Sequence, residues 1–166
     1  MTVTVDGTNG ITYPQGAAQI VGAGPAFSAY LNTSVQTITN STFTKVTLNA
    51  ELFDTNNNFD STTNYRFTPT VAGYYFINGG AQLGGVTITN GLISIWKNGS
   101  EYIRGSQIVF TSGNSNAYQL NASSIIYMNG STDYLELYGY ITAASGNQFV
   151  NGSTLTYFNG CLIRGA

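Results

Sequence analysis

The chain is a succession of short runs rich in Thr, Val, Ile, Tyr and Phe, most of them closed by Asn, Gly and Ser. β-Branched and aromatic side chains fit a pleated, half-buried surface. Asn-Gly tolerates the positive φ angles of tight hairpin turns. Many short runs with turn signals between them predict an all-β sandwich or barrel. The expected strands are 26–31, 45–52, 65–68, 73–83, 92–97, 101–110, 117–128, 134–141 and 154–164. Expected turns include Asn56-Asn57-Asn58, Asn90-Gly91, Asn98-Gly99, Asn129-Gly130 and Ser145-Gly146-Asn147. Gly79-Gly80 and Gly84-Gly85 read as bulges or turns. In 134–141, alternation sends Leu135, Leu137, Gly139 and Ile141 to a core face and Tyr134, Glu136, Tyr138 and Tyr140 to the other.

With 166 residues the chain suits one domain with a sizeable core. Residues 1–25 read as an arm or connector, since Asp6-Gly7, Asn9-Gly10 and Pro14 break any long element and Gly22-Ala23-Gly24-Pro25 forms a hinge. Residues 26–166 form the β domain.

Charge narrows the function classes. Only 7% of residues are charged and the net charge is −2, so nucleic acid is not an expected partner. No apolar stretch approaches the roughly 18 residues of a membrane-spanning helix, and no membrane insertion is expected. The chain has no His and one Cys. Ser-His-Asp and Cys-His nucleophile systems and histidine or multi-thiolate zinc sites are therefore excluded. Cys161 falls in an expected buried strand and reads as a small hydrophobe. Carboxylates are the remaining catalytic route, and Glu51, Asp54 and Asp60 are the one cluster, expected on a surface loop. No cofactor is implied. The chain reads as a non-enzyme.

Several spaced segments together resemble one family. Pro25-Ala26-Phe27-Ser28-Ala29, Phe59-Asp60, Arg66-Phe67-Thr68-Pro69, Val71-Ala72-Gly73-Tyr74-Tyr75-Phe76 and Phe158-Asn159-Gly160-Cys161-Leu162 are similar, in order, to the signals of C1q-like domains of the TNF-like jelly-roll superfamily. The chain lacks the collagen-like stem of the complement and adipokine members. The segment Asp6-Gly7-Thr8-Asn9-Gly10-Ile11-Thr12-Tyr13-Pro14 resembles short stretches of tail-fibre proteins of tailed bacteriophages. These resemblances imply a ten-stranded jelly-roll sandwich that assembles as a homotrimer, with one sheet facing the three-fold axis. They also imply a virion structural protein displayed on the particle surface as a tail-fibre tip or adhesin for host attachment. The alternatives are a capsid decoration or head fibre, and a cellular C1q-like surface binding module. Residues 1–25 would join another virion component, and a host-envelope glycan or protein would be the partner.

Site expectations follow. Strand 73–77 should point Tyr75 and Ile77 to one face and Tyr74 and Phe76 to the other. Both faces are apolar and need cover, which a symmetric partner supplies. Tyr74 and Phe76 are thus expected at the trimer interface; the resemblance implies that Phe158 and Leu162 belong to the core, which adds Tyr157 and Ile163, on the opposite face of the closing strand, to that interface. Trp96 and Tyr102, expected as a packed pair across the Asn98-Gly99 hairpin, are surface-binding candidates for a sugar ring, with Asn56, Asn57 and Asn58. Some C1q-like trimers hold calcium, so Asp54, Asp60 and Asp133 are weak metal candidates, with solvated turn acids the preferred reading.

Overall fold

A computed structural model of the protein describes residues 4–6, 10–12, 24–32 and 34–166. A short hairpin, β1 (Thr4–Asp6) with β2 (Gly10–Thr12), lies within the expected arm. The rest of that arm is outside the described residues. The remaining strands are β3 (Ala26–Tyr30), β4 (Gln36–Thr37), β5 (Thr44–Lys45), β6 (Ala50–Asp54), β7 (Phe59–Asp60), β8 (Arg66–Phe67), β9 (Gly73–Val86), β10 (Ile88–Lys97), β11 (Ser100–Asn114), β12 (Tyr118–Met128), β13 (Leu135–Thr142), β14 (Ser145–Phe149) and β15 (Tyr157–Gly165).

They form a two-sheet jelly-roll sandwich. The six-stranded sheet runs β11-β10-β13-β8-β7, with β5 also on β13; the seven-stranded sheet runs β4-β14-β9-β15-β3-β6, with β12 also on β9. Ten strands were expected. The two sheets hold thirteen, four of them two-residue pairs (β4, β5, β7 and β8) that sequence alone merges into loops or longer strands. The expected strand 45–52, for example, is split between β5 and β6. Among the described residues, no helix is long and apolar enough to cross a membrane.

The family-like segments meet in one place. Phe27 stacks on Phe67 with ring centroids 4.2 Å apart and on Phe59 at 5.2 Å, and meets Phe158 edge-on at 5.4 Å. Phe67 in turn meets Tyr75 edge-on at 5.6 Å. These rings are buried, as are Ile77, Leu135, Leu137 and Ile141. Leu162 packs only partly buried against them. Gly79-Gly80 is neither bulge nor turn. Both residues lie in the regular β9–β12 ladder. A Cβ on Gly79 would come within 2.5 Å of Leu137, and one on Gly80 within 2.8 Å of the Tyr157 ring. Glycine here lets the two sheets, and Tyr157, approach the backbone.

Register defines two ends. At one end Gly73 pairs with Met128 and Gly165, and Lys97 with Leu135. There Leu162 N–H donates to Pro25 O, and Ala166 N–H donates to Ala72 O. The chain thus enters and leaves the sandwich at the same end. At the other end Val86 pairs with Ser145 and Ile88 with Asn114.

Asn90-Gly91, expected as a turn, lies inside β10, paired with Thr142 and Ile141. The chain reverses at Thr87 instead, which has φ +57° and whose N–H donates to Ser115 Oγ at 3.0 Å. A β-branched residue in the left-handed region is strained, at a cost of order 1–3 kcal/mol. Thr87→Asn is expected to raise unfolding stability by about 1 kcal/mol, because Asn tolerates this conformation. A lower thermal midpoint for the variant would contradict that reading.

Candidate functional site

The outer face of the seven-stranded sheet carries several exposed large hydrophobic side chains. Along β9, Tyr75 and Ile77 are buried while Tyr74 and Phe76 point outward. Tyr127 pairs with Tyr74 and Ile125 with Phe76 across the β9–β12 ladder. The Tyr74 and Tyr127 rings lie 5.4 Å apart. On the other flank Cys161 pairs with Phe76, and Ile163 sits in the bulge between Leu162 and Arg164. Tyr74, Phe76, Ile125, Tyr127 and Ile163 are each between 43% and 59% exposed, so they form a contiguous apolar patch on one protomer. Phe53 of β6 extends it, and a shallow groove of about 250 Å³ runs between Phe53, Phe76, Ala26 and Cys161. Further along, the same face turns polar, with Asn78 flanked by Ser123 and Asn159, and Asn159 by Ser28.

Two expectations change here. Cys161 is exposed, not a buried hydrophobe, because alternation in β15 sets it opposite the inward Phe158 and Gly160. Tyr157 lies half-buried in its own protomer, where its hydroxyl hydrogen-bonds Asn121 Oδ1 at 3.2 Å over Gly80. It offers less free surface than Tyr74 or Phe76.

The aromatic candidates on the other sheet separate. Trp96 stacks on Tyr138 with ring centroids 4.1 Å apart, touches Phe43 at 5.5 Å, and donates its Nε1–H to Ser94 Oγ at 2.9 Å. Tyr102 is exposed and faces the Lys97 ammonium, 5.9 Å from its ring. Lys97 is Trp96's neighbour and points to the opposite face of the strand. Trp96 and Tyr102 are therefore not the packed pair expected across the hairpin, nor one stacking platform. The offset comes from the bulge between Ile95 and Trp96. Glu136, on the same strand face as Tyr138 and Tyr140, is buried and paired with Lys45 Nζ at 2.8 Å.

A polar cleft of about 520 Å³ opens at the end where the chain enters, lined by Glu51, Asn57, Asp60, Asn64, Arg66 and Thr68 among others. The Arg66 guanidinium lies 4.3 Å over the Tyr134 ring. Of the three loop asparagines, Asn56 and Asn57 are exposed, with Asn57 at φ +54°. Asn58 is buried: its Nδ2–H donates to Asn56 O at 3.1 Å, and its Oδ1 accepts from Thr70 N–H at 3.3 Å. Asn58 is spent on holding the loop.

Each metal candidate is already engaged, Asp54 and Asp60 within their own loops and Asp133 also by the β10–β11 hairpin. Asp54 accepts the N–H of Phe59 at 2.6 Å and of Asn56 at 3.2 Å. Asp133 accepts from Asn98 Nδ2 at 2.8 Å and Asn129 N–H at 3.0 Å, and pairs with Lys97 at 2.9 Å. Asp60 accepts the N–H groups of Thr62, Thr63 and Asn64 and the Asn64 amide, all within 3.0 Å. Among the described residues no three His, Cys, Asp or Glu side chains converge.

Hydrogen bonding, led by the Thr63 N–H, holds the Asp60 carboxyl well below its ordinary value of 3.8. A depressed folded-state value means the stabilisation is present above pH 3.8 and is lost as pH falls below it. The thermal midpoint of the native chain should therefore drop on acidification below about pH 4, and more steeply than that of Asp60→Asn. Parallel midpoint curves for the two would show that this loop contributes nothing.

No protein-family model and no curated protein sequence matches the chain. Solved structures do match in shape. The structure of Eiger TNF from S. frugiperda aligns with a TM-score of 0.64 at 8% identity, over 87% of this chain and 95% of that one. The crystal structure of murine APRIL at pH 8.0 aligns with a TM-score of 0.61 at 8% identity, over 84% and 99%. The fold is a TNF-like jelly roll, the architecture implied by the C1q-like segments.

Proposed function

We propose that the chain is a non-enzymatic binding and display module that closes into a homotrimer through the outer face of its seven-stranded sheet. The apolar patch around Tyr74, Phe76, Ile125, Tyr127 and Ile163 is the observation that carries this reading. At about 25 cal/mol per Å², covering roughly 400 Å² of it stabilises each protomer by about 10 kcal/mol before association costs. A TNF-like fold supports placing the symmetric partner on this sheet. The non-enzymatic reading is supported by the absence of His and by the engagement of Asp54 and Asp60 within their own loops.

We place this trimer on a virus particle, as a tail-fibre tip touching the host, with a capsid-mounted fibre as the second location. The tail-fibre-like segment 6–14 and an outer surface of Asn, Ser, Thr and Gly support that placement. Light scattering on the pure chain should give three times its mass. Electron microscopy of particles labelled with antibody to the chain should show label at the fibre tips; label on the capsid would favour the second location, and unlabelled particles would refute both.

A further inference from the structure

The charged residues are unevenly distributed between the two ends. Segments 34–44, 84–91, 108–118 and 141–157, which build and flank the far end, contain no Asp, Glu, Lys or Arg. The ion pairs Lys97–Asp133, Arg104–Glu101 and Lys45–Glu136 all lie nearer the entry end or mid-sheet. The polar cleft and the Asn56–Asn57 loop are also at the entry end. On the display reading, in which residues 1–25 join the chain to another component, the far end is the surface presented outward.

Three turns converge there. Ser41 Oγ lies 3.1 Å from Thr142 Oγ1, and Asn40 Oδ1 accepts the Ala143 N–H at 3.0 Å. Thr87 is tied to Ser115 in the β11–β12 turn. These bonds hold the backbone, while other side chains are left unused. Among the described residues none takes up the side chains of Ser112, Asn116 or Ser145, all exposed. The one buried side-chain polar atom without a partner among the described residues, Asn147 Oδ1, is also at this end, and such an atom calls for a donor. Apolar surface is present but aliphatic and scattered: Val35, Val86 and Val109 are exposed, and the half-buried Phe110 and Tyr118 rings pair at 5.2 Å.

We infer that this far end is a binding surface for a neutral oligosaccharide. The inference rests on the display reading above and adds the site and the ligand class. Sugar hydroxyls donate and accept, and Ser, Thr and Asn side chains answer both. Loops of Ser, Gly and Asn with an occasional Tyr supply adaptable hydrogen bonding. An acidic glycan needs Arg or Lys for charge-assisted bonds, and this end has neither. A protein partner would call for a core of aromatic, Met or Arg anchors, whereas here only the Phe110–Tyr118 pair is at hand.

The test is an array carrying neutral hexose and N-acetylhexosamine oligosaccharides beside sialylated, uronic and phosphorylated ones, probed with the full chain. Binding to neutral glycans, unchanged by added salt, is expected. Asn116→Asp with Ser145→Asp should weaken it about tenfold or more, and Ser100→Asp, in the exposed hairpin at the entry end, should leave it unchanged. No binding to any neutral glycan, preference for acidic ones, or loss on Ser100→Asp alone would overturn the inference. Mass is read on the same samples: a native monomer would refute the trimeric reading itself, whereas a trimer that binds no neutral glycan refutes this inference alone.

Discussion

Phe76→Asp combined with Ile125→Asp is expected to convert the assembled protein into a folded monomer of one-third the mass. The two side chains are directly cross-paired on the outer face of the sheet, and neither contributes to the buried core. The sandwich should therefore keep its all-β circular dichroism. Around a three-fold axis the substitutions would bring six carboxylates together in a desolvated patch. Each buried, unpaired charge costs several kcal/mol, and the like charges repel, which exceeds the roughly 10 kcal/mol per protomer available from apolar contact. Size-exclusion chromatography with light scattering reads the result. An unchanged trimer mass would move the interface elsewhere.

Phe27→Ala should produce the largest loss of stability from a single core substitution. Phe27 is fully buried and touches three other rings, from β7, β8 and β15. Truncation removes the ring's transfer free energy and leaves a cavity between the sheets, together about 3–5 kcal/mol. A domain of this size has about 5–15 kcal/mol in total. Urea denaturation should be run in the monomeric background, since assembly makes apparent stability depend on concentration. A loss under about 1 kcal/mol would show that the rings are not the keystone of the core.

That aromatic cluster also explains how much of the fold could be read from the sequence. Phe27, Phe59, Phe67, Tyr75 and Phe158 stand in segments spread over most of the chain, and each segment alone carries little information. They occur together because they fill one volume, so their order and spacing imply a particular sandwich. Alternation likewise separated Tyr75 and Ile77 from Tyr74 and Phe76, since a strand's period of two leaves little freedom.

Legibility failed where backbone irregularity overrides residue preference. Asn90-Gly91 has the chemistry of a turn yet sits in a strand, while Thr87, a poor turn former, makes the reversal because Ser115 and the β11–β12 turn hold it. Trp96 and Tyr102 part because one bulge shifts the phase of β11 against β10. Asn58 carries a loop residue's identity but is drawn inside by Thr70. Cys161 shows a different limit: its apolar character was legible, but whether its cover comes from within the chain or from a partner was not. The charge-free far end could not be seen as a surface at all until register brought four separate segments to one end.

Sedimentation equilibrium of the unmodified chain at micromolar concentration tests the central claim most directly. The exposed Tyr74–Phe76–Ile125–Tyr127 face predicts a single species of three times the 17.7 kDa chain mass, stable to dilution. A well-folded species of 17.7 kDa at the same concentration would contradict the account.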